Sequence, residues 1–152
     1  MYEVETRERQ EHPTLVRRAK LGVGDLPSWL GETYALVMAQ VEASAATAAG
    51  MPFARYRTLS EGVFEVEAGI ALAATVEPGP RLQTGSLPGG PAAVVVHIGR
   101  YDEVGAAYEA AHVWLAEHGH EPAAAPWEEY HTDPDTEPDP SRHRTEVVQP
   151  YT

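Results

Sequence analysis

Pro52-Phe53-Ala54-Arg55-Tyr56 and, later in the chain, Pro126-Trp127-Glu128-Glu129-Tyr130 share a proline, an aromatic residue and a tyrosine at the same spacing. Sliding the two halves of the sequence over each other without a gap aligns these blocks. It also aligns Gly31 with Gly105 and Tyr34 with Tyr108. Because both sets of matches keep their spacing, the sequence predicts an internal duplication. We interpret the 152 residues as one domain, 1–152, built from repeat 1 (1–74) and repeat 2 (75–152).

Repeat 1 shows the order strand, strand, helix, strand, strand. The first two strands are separated by a short turn, which predicts that the chain opens with a hairpin. Apolar residues then recur at helical spacing from Ser28 to Ala48, with Gly50 as the predicted stop. Two further strands form a second hairpin. The predicted strands are 2–7, 14–18, 53–58 and 62–75.

Repeat 2 copies this order. Its helix is predicted to run from Asp102, a suitable N-cap, to His118, with Gly119 at the end. The predicted fold class is therefore α+β, with duplicated β-β-α-β-β units that form an antiparallel sheet with two main helices. The predicted strands of this repeat are 81–85, 93–98, 126–132 and 145–149.

The composition excludes several classes of protein. The apolar fraction of 43% suits a globular chain, and the longest apolar runs are far shorter than the roughly 20 residues that cross a bilayer. A formal net charge of −12 disfavours direct binding to nucleic acid. The chain has no cysteine, and its start lacks the basic and apolar regions of a signal peptide. We therefore expect a cytoplasmic protein.

A series of short motifs runs through both repeats. Their order and spacing resemble the GyrI-like small-molecule-binding domains, which also occur as effector-binding domains of AraC-type and MerR-type regulators. The resemblance covers most of the chain. No helix-turn-helix motif lies within its length, so we expect a stand-alone member. The motifs are Pro52-Phe53-Ala54-Arg55-Tyr56, Phe64-Glu65-Val66-Glu67-Ala68-Gly69, Leu87-Pro88-Gly89-Gly90, His97-Ile98-Gly99-Arg100-Tyr101, Trp127-Glu128-Glu129-Tyr130-His131-Thr132-Asp133-Pro134 and Arg144-Thr145-Glu146.

This resemblance implies a cleft between the repeats that accepts flat, apolar, often cationic molecules. It also implies that the acidic residue of a Glu-x-Tyr motif lies inside the cleft, and this residue is Glu128. Alternation along a strand puts Glu128 and Tyr130 on one face and Trp127 and Glu129 on the other. Loss of the Glu129 charge is therefore expected to have little effect. A carboxylate in an apolar pocket has a raised pKa, and an entering cation stabilises its charged state.

Aromatic side chains are expected to form the walls of this cleft, because ring faces attract cations and stack on flat ligands. Tyr34 and Tyr108 form a symmetric pair under the duplication. The predicted ligand-binding residues are Glu128, Tyr34, Phe53, Tyr56, Tyr101, Tyr108, Trp114, Trp127 and Tyr130.

No cofactor and no metal site is predicted. The spacing of His118-Gly119-His120 is not that of two metal ligands on a helix. The acidic, proline-rich segment from Asp133 to Asp139 lacks the glycine and the terminal glutamate of an EF-hand, so we interpret it as a surface loop without a chemical role. The sequence also lacks a phosphate-binding loop and a nucleophile elbow.

Three functions remain open at this point. The favoured one is capture of an apolar, often cationic or aromatic small molecule, for sequestration, sensing or resistance. The resemblance also implies a hydrolase of reactive, cyclopropane-bearing toxins, with Glu128 as base or acid and Tyr130 or Tyr56 as donor to the developing oxyanion. The third is inhibition or regulation of a basic protein partner by the acidic surface.

Overall fold

The computed structural model describes residues 2–133 and 136–152. The described strand pairs are antiparallel, and together with two helices they confirm the predicted α+β class. In chain order the elements are β1 (Val4–Arg9), β2 (His12–Gly22), α1 (Leu26–Ala43), β3 (Ala48–Ser60), β4 (Val63–Leu72), β5 (Gln83–Leu87), β6 (Gly90–Ile98), α2 (Gly105–Glu117), β7 (Trp127–Tyr130) and β8 (Arg144–Pro150).

The chain forms two compact units. Unit 1 comprises Met1–Gln10 and Pro88–Thr152, and unit 2 comprises Glu11–Leu87. The strand order is β1-β6-β8-β7 in unit 1 and β3-β4-β2-β5 in unit 2. The first strand of repeat 1, β1, therefore lies in the unit that contains most of repeat 2. The first strand of repeat 2, β5, lies in the unit that contains most of repeat 1. That residues 1–74 and 75–152 superpose remains a prediction.

Strand pairing differs from the predicted opening hairpin. β1 pairs with β6, whereas β2 pairs with β4 on one side and β5 on the other. The hairpin prediction is wrong because β2 carries Leu15 and Val16, which are fully buried and suit a central strand. β1 is rich in charge and lies at the edge of its sheet, where charged side chains oppose pairing with further strands.

In unit 2, α1 packs its apolar stripe on the sheet. Trp29, Thr33, Val37 and Val41 are its buried residues, spaced by four residues as one helical face requires. Val37 and Val41 join a core with Leu15, Ile70, Leu72 and Leu82. The approach of β4 to β2 is close at Gly69, where a Cβ atom would lie 1.9 Å from the carbonyl oxygen of Leu15. This contact explains the glycine of the Phe64-to-Gly69 motif.

The end of α1 does not follow the prediction. The helix ends at Ala43, Ala45 has a φ of 51°, and the amide of Ala46 donates to the carbonyl oxygen of Val41. Gly50 lies inside β3, so its assignment as a helix stop is wrong. A short turn with a left-handed residue therefore closes the helix without a glycine.

In unit 1, α2 buries Ala107, Ala111 and Leu115. The two alanines pack with Val95 of β6 and Val147 of β8. Asp102 belongs to a short 3-10 turn and is exposed, and Val104 precedes the helix without a side-chain cap, so the predicted N-cap at Asp102 is wrong. Neither described helix is long and apolar enough to cross a membrane.

The acidic segment predicted as a surface loop lies between β7 and β8. Pro134 and Asp135 of this segment lie outside the described residues. In its described part, the Asp139 carboxylate accepts hydrogen bonds from the amide and the hydroxyl of Ser141, at 3.0 and 2.7 Å. These bonds begin a short 3-10 turn, Pro140–Arg142, and they lower the pKa of Asp139. The absence of a chemical role for the loop remains a prediction.

Candidate ligand-binding site

The side chains of the four residues of β7 alternate between the two faces of the strand. Glu128 forms hydrogen bonds with tyrosines, whereas Glu129 accepts hydrogen bonds from the Trp127 indole and from Arg9. Glu128 is 2% exposed although it carries a carboxylate. The alternation predicted from the sequence therefore holds within unit 1, and it places one buried carboxylate on each face of β7.

Three tyrosine hydroxyls hold the Glu128 carboxylate. The hydroxyl of Tyr108 on α2 donates to Oε2 at 2.6 Å, and the hydroxyl of Tyr130 lies 3.2 Å from Oε1. Tyr101 supplies a third side-chain hydrogen bond. These partners come from the turn before α2, from α2 itself and from β7, so the folding of unit 1 assembles the site from separate segments.

Burial raises the pKa of Glu128, although the hydrogen bonds from Tyr101, Tyr108 and Tyr130 work in the opposite direction. The ion pairs of the described residues include Glu129 and Glu146 but not Glu128. Among the described residues, the side chains that stabilise its charge are therefore neutral donors. A buried carboxylate of this kind attracts a cation or holds a proton, because either one removes the cost of an uncompensated charge.

The tyrosine cluster reaches the surface of unit 1 at Tyr101. This side chain is 40% exposed, and its ring meets that of Tyr130 edge to face at a centroid distance of 6.0 Å. Tyr130 and Tyr108 are partly buried. An aromatic ligand that approaches Tyr101 would thus find ring faces first and the carboxylate behind them.

Other predicted ligand-binding residues of unit 1 lie elsewhere. Trp127 is fully buried, and its indole Nε1 donates to Glu129 at 2.9 Å on the face of β7 opposite to Glu128. Trp114 on α2 stacks on His118 at 4.2 Å and lies 5.5 Å from the ring of Tyr151. The structure therefore joins Tyr101, Tyr108 and Tyr130 to Glu128, and it gives the two tryptophans other partners.

In unit 2, the predicted residues include Tyr34, Phe53 and Tyr56. The Tyr34 hydroxyl donates to the backbone carbonyl of Phe53 at 2.8 Å, and Phe53 is fully buried. The Tyr56 ring meets Phe64 edge to face at 6.5 Å. Ala54, which the duplication aligns with Glu128, is also fully buried.

The face of β7 opposite to Glu128 carries a polar cluster that the sequence analysis did not anticipate. Glu129 is only 7% exposed, and its carboxylate accepts from Arg9 at 2.7 Å. Glu146 on β8 is 2% exposed and pairs with Arg7 and Arg144, both at 2.8 Å. The expectation that loss of the Glu129 charge matters little rested on a solvated side chain, which the structure contradicts.

The only hint of this cluster in the sequence is the position of Arg144-Thr145-Glu146 among the recognised motifs. The register puts Glu129 directly opposite Glu146, and His131 follows on the same face. Together Glu129, His131 and Glu146 offer three metal-ligating atoms within 4.8 Å of one another. No local spacing predicts this group, because β7 and β8 are joined by a long loop.

Known structures share this fold. The C-terminal domain of EcmrR superposes with a TM-score of 0.86 at 20% identity, covering 100% of this chain and 98% of that chain. In the cryo-EM structure of the EcmrR–DNA complex, the TM-score is 0.84 at 21% identity, and the match covers 99% of this chain but 57% of that chain.

Two more distant structures also share the fold. A hydrolase from Listeria innocua matches with a TM-score of 0.67 at 13% identity, over 99% of this chain and 92% of that chain. SAV2435, solved with bound tetraphenylphosphonium, matches with a TM-score of 0.67 at 10% identity, over 100% of this chain and 94% of that chain. Identities this low establish the fold alone.

Among curated proteins, none matches this sequence. The family comparison is decisive instead, because residues 30–152 match the family described as the GyrI-like small molecule binding domain. The match covers α1 from Leu30 onward, the strands and helix that follow it, and the three tyrosines that bond to Glu128. The chain is a member of the GyrI-like small-molecule-binding domain family.

Proposed function

We propose that this domain binds apolar, monovalent organic cations beside Glu128. The observation that supports the proposal most directly is the buried carboxylate of Glu128, whose described partners are the hydroxyls of Tyr101, Tyr108 and Tyr130. An entering cation would supply the opposite charge that these neutral donors do not provide. The tyrosine rings would add attraction of roughly 0.5–2 kcal/mol each where a ring face meets the cation.

A contrast within unit 1 supports the choice of Glu128. Burial acts to raise the pKa of Glu146 as well, but hydrogen bonds from Arg144 and Arg7 outweigh it and the pKa is lowered. The pKa of Glu128 is raised. Of these two buried carboxylates, Glu146 already has its counter-charges within the protein, and Glu128 is the one that a ligand can neutralise.

The ligand class follows from the same surroundings. A small hydrated ion such as Na⁺ would lose its water against aromatic rings, whereas a large organic cation carries little hydration and gains contact area. Tetraphenylphosphonium, which SAV2435 binds, has this chemistry and is therefore a suitable probe. We propose binding of this class and not of one named natural ligand.

Calorimetric titration with tetraphenylphosphonium tests the proposal. Glu128→Gln keeps the shape of the side chain and removes its charge, so affinity should fall by roughly 5- to 150-fold, about 1–3 kcal/mol. Glu109→Gln is the matched control, because Glu109 is exposed and follows Tyr108 on α2. Equal affinity in both variants, or no binding by the unaltered protein, would contradict the proposal.

Hydrolysis is the second candidate function, and one hydrogen bond in unit 1 favours it. The 2.6 Å hydrogen bond between Tyr108 and Glu128 places an acidic hydroxyl beside a carboxyl whose pKa is raised, which is a combination suited to general acid and base work. The similarity to a Listeria innocua hydrolase adds a candidate activity. With a reactive cyclopropane substrate, Glu128→Gln would then leave affinity nearly intact and lower turnover roughly 10²- to 10⁴-fold.

A further inference from the structure

The cluster on the other face of β7 contains an unexplained histidine. The Nε2 atom of His131 is sealed from solvent, and among the described residues it has no hydrogen-bond partner. It faces two buried carboxylates, Oε1 of Glu129 at 3.7 Å and Oε2 of Glu146 at 3.5 Å. Both distances exceed the 2.7–3.2 Å of an ordinary hydrogen bond to nitrogen, so direct bonding does not explain the arrangement.

A metal ion shared by the three residues would account for these distances. Two ligand atoms that each lie about 2.0–2.2 Å from a tetrahedral zinc ion are separated by about 3.4 Å. The observed separations of 3.5 and 3.7 Å are close to that value. All three residues offer ligand atoms within 4.8 Å of one another, so one ion can reach the whole set after small side-chain movements.

The neighbouring residues hold the carboxylates in place. Arg9 and the Trp127 indole both donate to Oε2 of Glu129, which leaves Oε1 toward His131. Arg7 donates to Oε1 of Glu146, and Arg144 donates to Oε2. Hydrogen bonds to ligating carboxylates are the usual outer support of metal sites, where they orient the ligands.

The cluster contains three arginines, but its net charge still allows a cation to bind. Arg7, Arg9 and Arg144 are balanced by Glu129, Glu146 and Glu5, the last of which pairs with Arg7 at 2.8 Å. The group is therefore neutral when His131 is neutral. A divalent ion would add two positive charges to a chain whose formal net charge is −12.

We propose that Glu129, His131 and Glu146 bind one divalent transition-metal ion of the zinc class. One imidazole and two carboxylates suit Zn²⁺ or Co²⁺, whereas Ca²⁺ takes oxygen ligands alone. Three protein ligands leave a fourth position for water. The ion would join β7 to β8 from the face opposite to Glu128, so this site is independent of the proposed small-molecule site.

Co²⁺ titration of the full chain, followed by visible absorption, tests the site. The unaltered protein should develop the absorption bands of low-coordinate Co²⁺, and Zn²⁺ should displace them. His131→Gln should weaken Co²⁺ binding by roughly tenfold or more, since even changes to outer support cost that much. His112→Gln is the matched control, because His112 is exposed on α2, and it should bind Co²⁺ like the unaltered protein.

A rescue variant separates ligation from a structural role. His131→Cys supplies a thiolate in place of the imidazole, so it should regain Zn²⁺ binding, measured as a zinc-dependent rise in melting temperature. The proposal is wrong if the unaltered protein takes up neither metal at millimolar concentration. It is equally wrong if His131→Gln binds Co²⁺ as well as His112→Gln does, or if uptake is lost only when His118 and His120 are replaced.

Discussion

β3 of unit 2 and β7 of unit 1 occupy matching places in the strand order of their own units but carry side chains of different charge. Each pairs with the last strand of its repeat, β4 or β8. On one face, Ala54 corresponds to Glu128. On the other face, Arg55 lies opposite Glu67, with an Nε to carboxylate distance of 2.9 Å, whereas Glu129 lies opposite Glu146. The two aligned strands thus differ in charge on both faces.

As a result, the glutamate on β4 of unit 2 has an arginine directly opposite it on β3. The glutamate on β8 of unit 1 has a second glutamate opposite it on β7. The Arg55–Glu67 pair is complete across two neighbouring strands, and Arg18 of β2 adds a further bond to Glu67 at 2.7 Å. In unit 1, two carboxylates face each other, a destabilising arrangement unless cations intervene. Arginines of β1 and β8 supply the charge on one face, and three tyrosines supply neutral donors on the other.

We expect the largest effect on stability when β3 receives the glutamate that β7 carries at the aligned position. Ala54→Glu would bury a carboxylate in unit 2, where the aligned hydroxyl of Tyr34 already donates to the backbone carbonyl of Phe53, so the free energy of unfolding should fall by about 3–5 kcal/mol, as for an uncompensated buried charge. Urea unfolding measures the change. Ala54→Gln adds nearly the same bulk without the charge, and equal loss in the two variants would show that size alone decides.

The next effect concerns the outer face of β7. Glu129→Gln should lower the free energy of unfolding by about 1–3 kcal/mol, because Arg9 and the Trp127 indole lose a charged acceptor. Tetraphenylphosphonium affinity of the folded protein should stay unchanged. Glu65→Gln is the control in unit 2, where Glu65 and Arg57 form an exposed pair expected to contribute less than about 1 kcal/mol. Equal stability of these variants would mean that the network adds nothing.

The comparison also shows what the sequence could predict. Alternation in β7 and the four-residue spacing in α1 identified the faces of these elements correctly, because both patterns depend on local geometry. The opening hairpin failed because strand pairing depends on distant partners. β2 needs β4 and β5 on its two sides, and neither strand adjoins it in sequence.

The candidate site could also be predicted only in part, because its side chains come from segments that are distant in the sequence. Glu128 came from the resemblance to a family, since a glutamate in a strand is ordinarily solvated. Eight aromatic residues were then predicted as ligand contacts, and the sequence could not rank them. Tyr101, Tyr108 and Tyr130 meet Glu128 because α2 packs on β6 and β8, and β8 is the strand next to β7. Local sequence patterns do not reveal this packing.

The pH dependence of binding tests whether Glu128 differs from the other buried carboxylates. Its folded-state pKa is raised above the ordinary 4.5, so the ionised form, which attracts cations, appears only as the pH rises through that higher value. Tetraphenylphosphonium affinity should therefore increase with pH across this window, by at most about tenfold per pH unit, and level off above it. Calorimetric titrations across the window measure this rise.

The free energy of unfolding should fall as the pH rises through the same window. The contribution of a group with a raised carboxyl pKa is fully present below its unfolded-state pKa and is lost as the pH rises through the folded-state pKa. Glu128→Gln should remove both trends, whereas Glu109→Gln should retain them. A pH-independent affinity in the unaltered protein would show that Glu128 does not titrate in this range.

The smallest effect compares two tyrosines that the duplication aligns. The Tyr108 hydroxyl donates to the Glu128 carboxylate, while the Tyr34 hydroxyl donates to the backbone carbonyl of Phe53. Each Tyr→Phe change removes one hydrogen bond and should cost about 0.5–1.5 kcal/mol of stability. Only Tyr108→Phe removes a donor that stabilises the ionised carboxylate, so only this variant should raise the pKa of Glu128 further and move the pH profile of tetraphenylphosphonium binding upward. Tyr34→Phe should lower stability by a similar amount with an unmoved profile. If both variants shift the profile equally, the effect does not depend on the Tyr108 hydrogen bond; if neither does, the 2.6 Å hydrogen bond does not control the charge of Glu128.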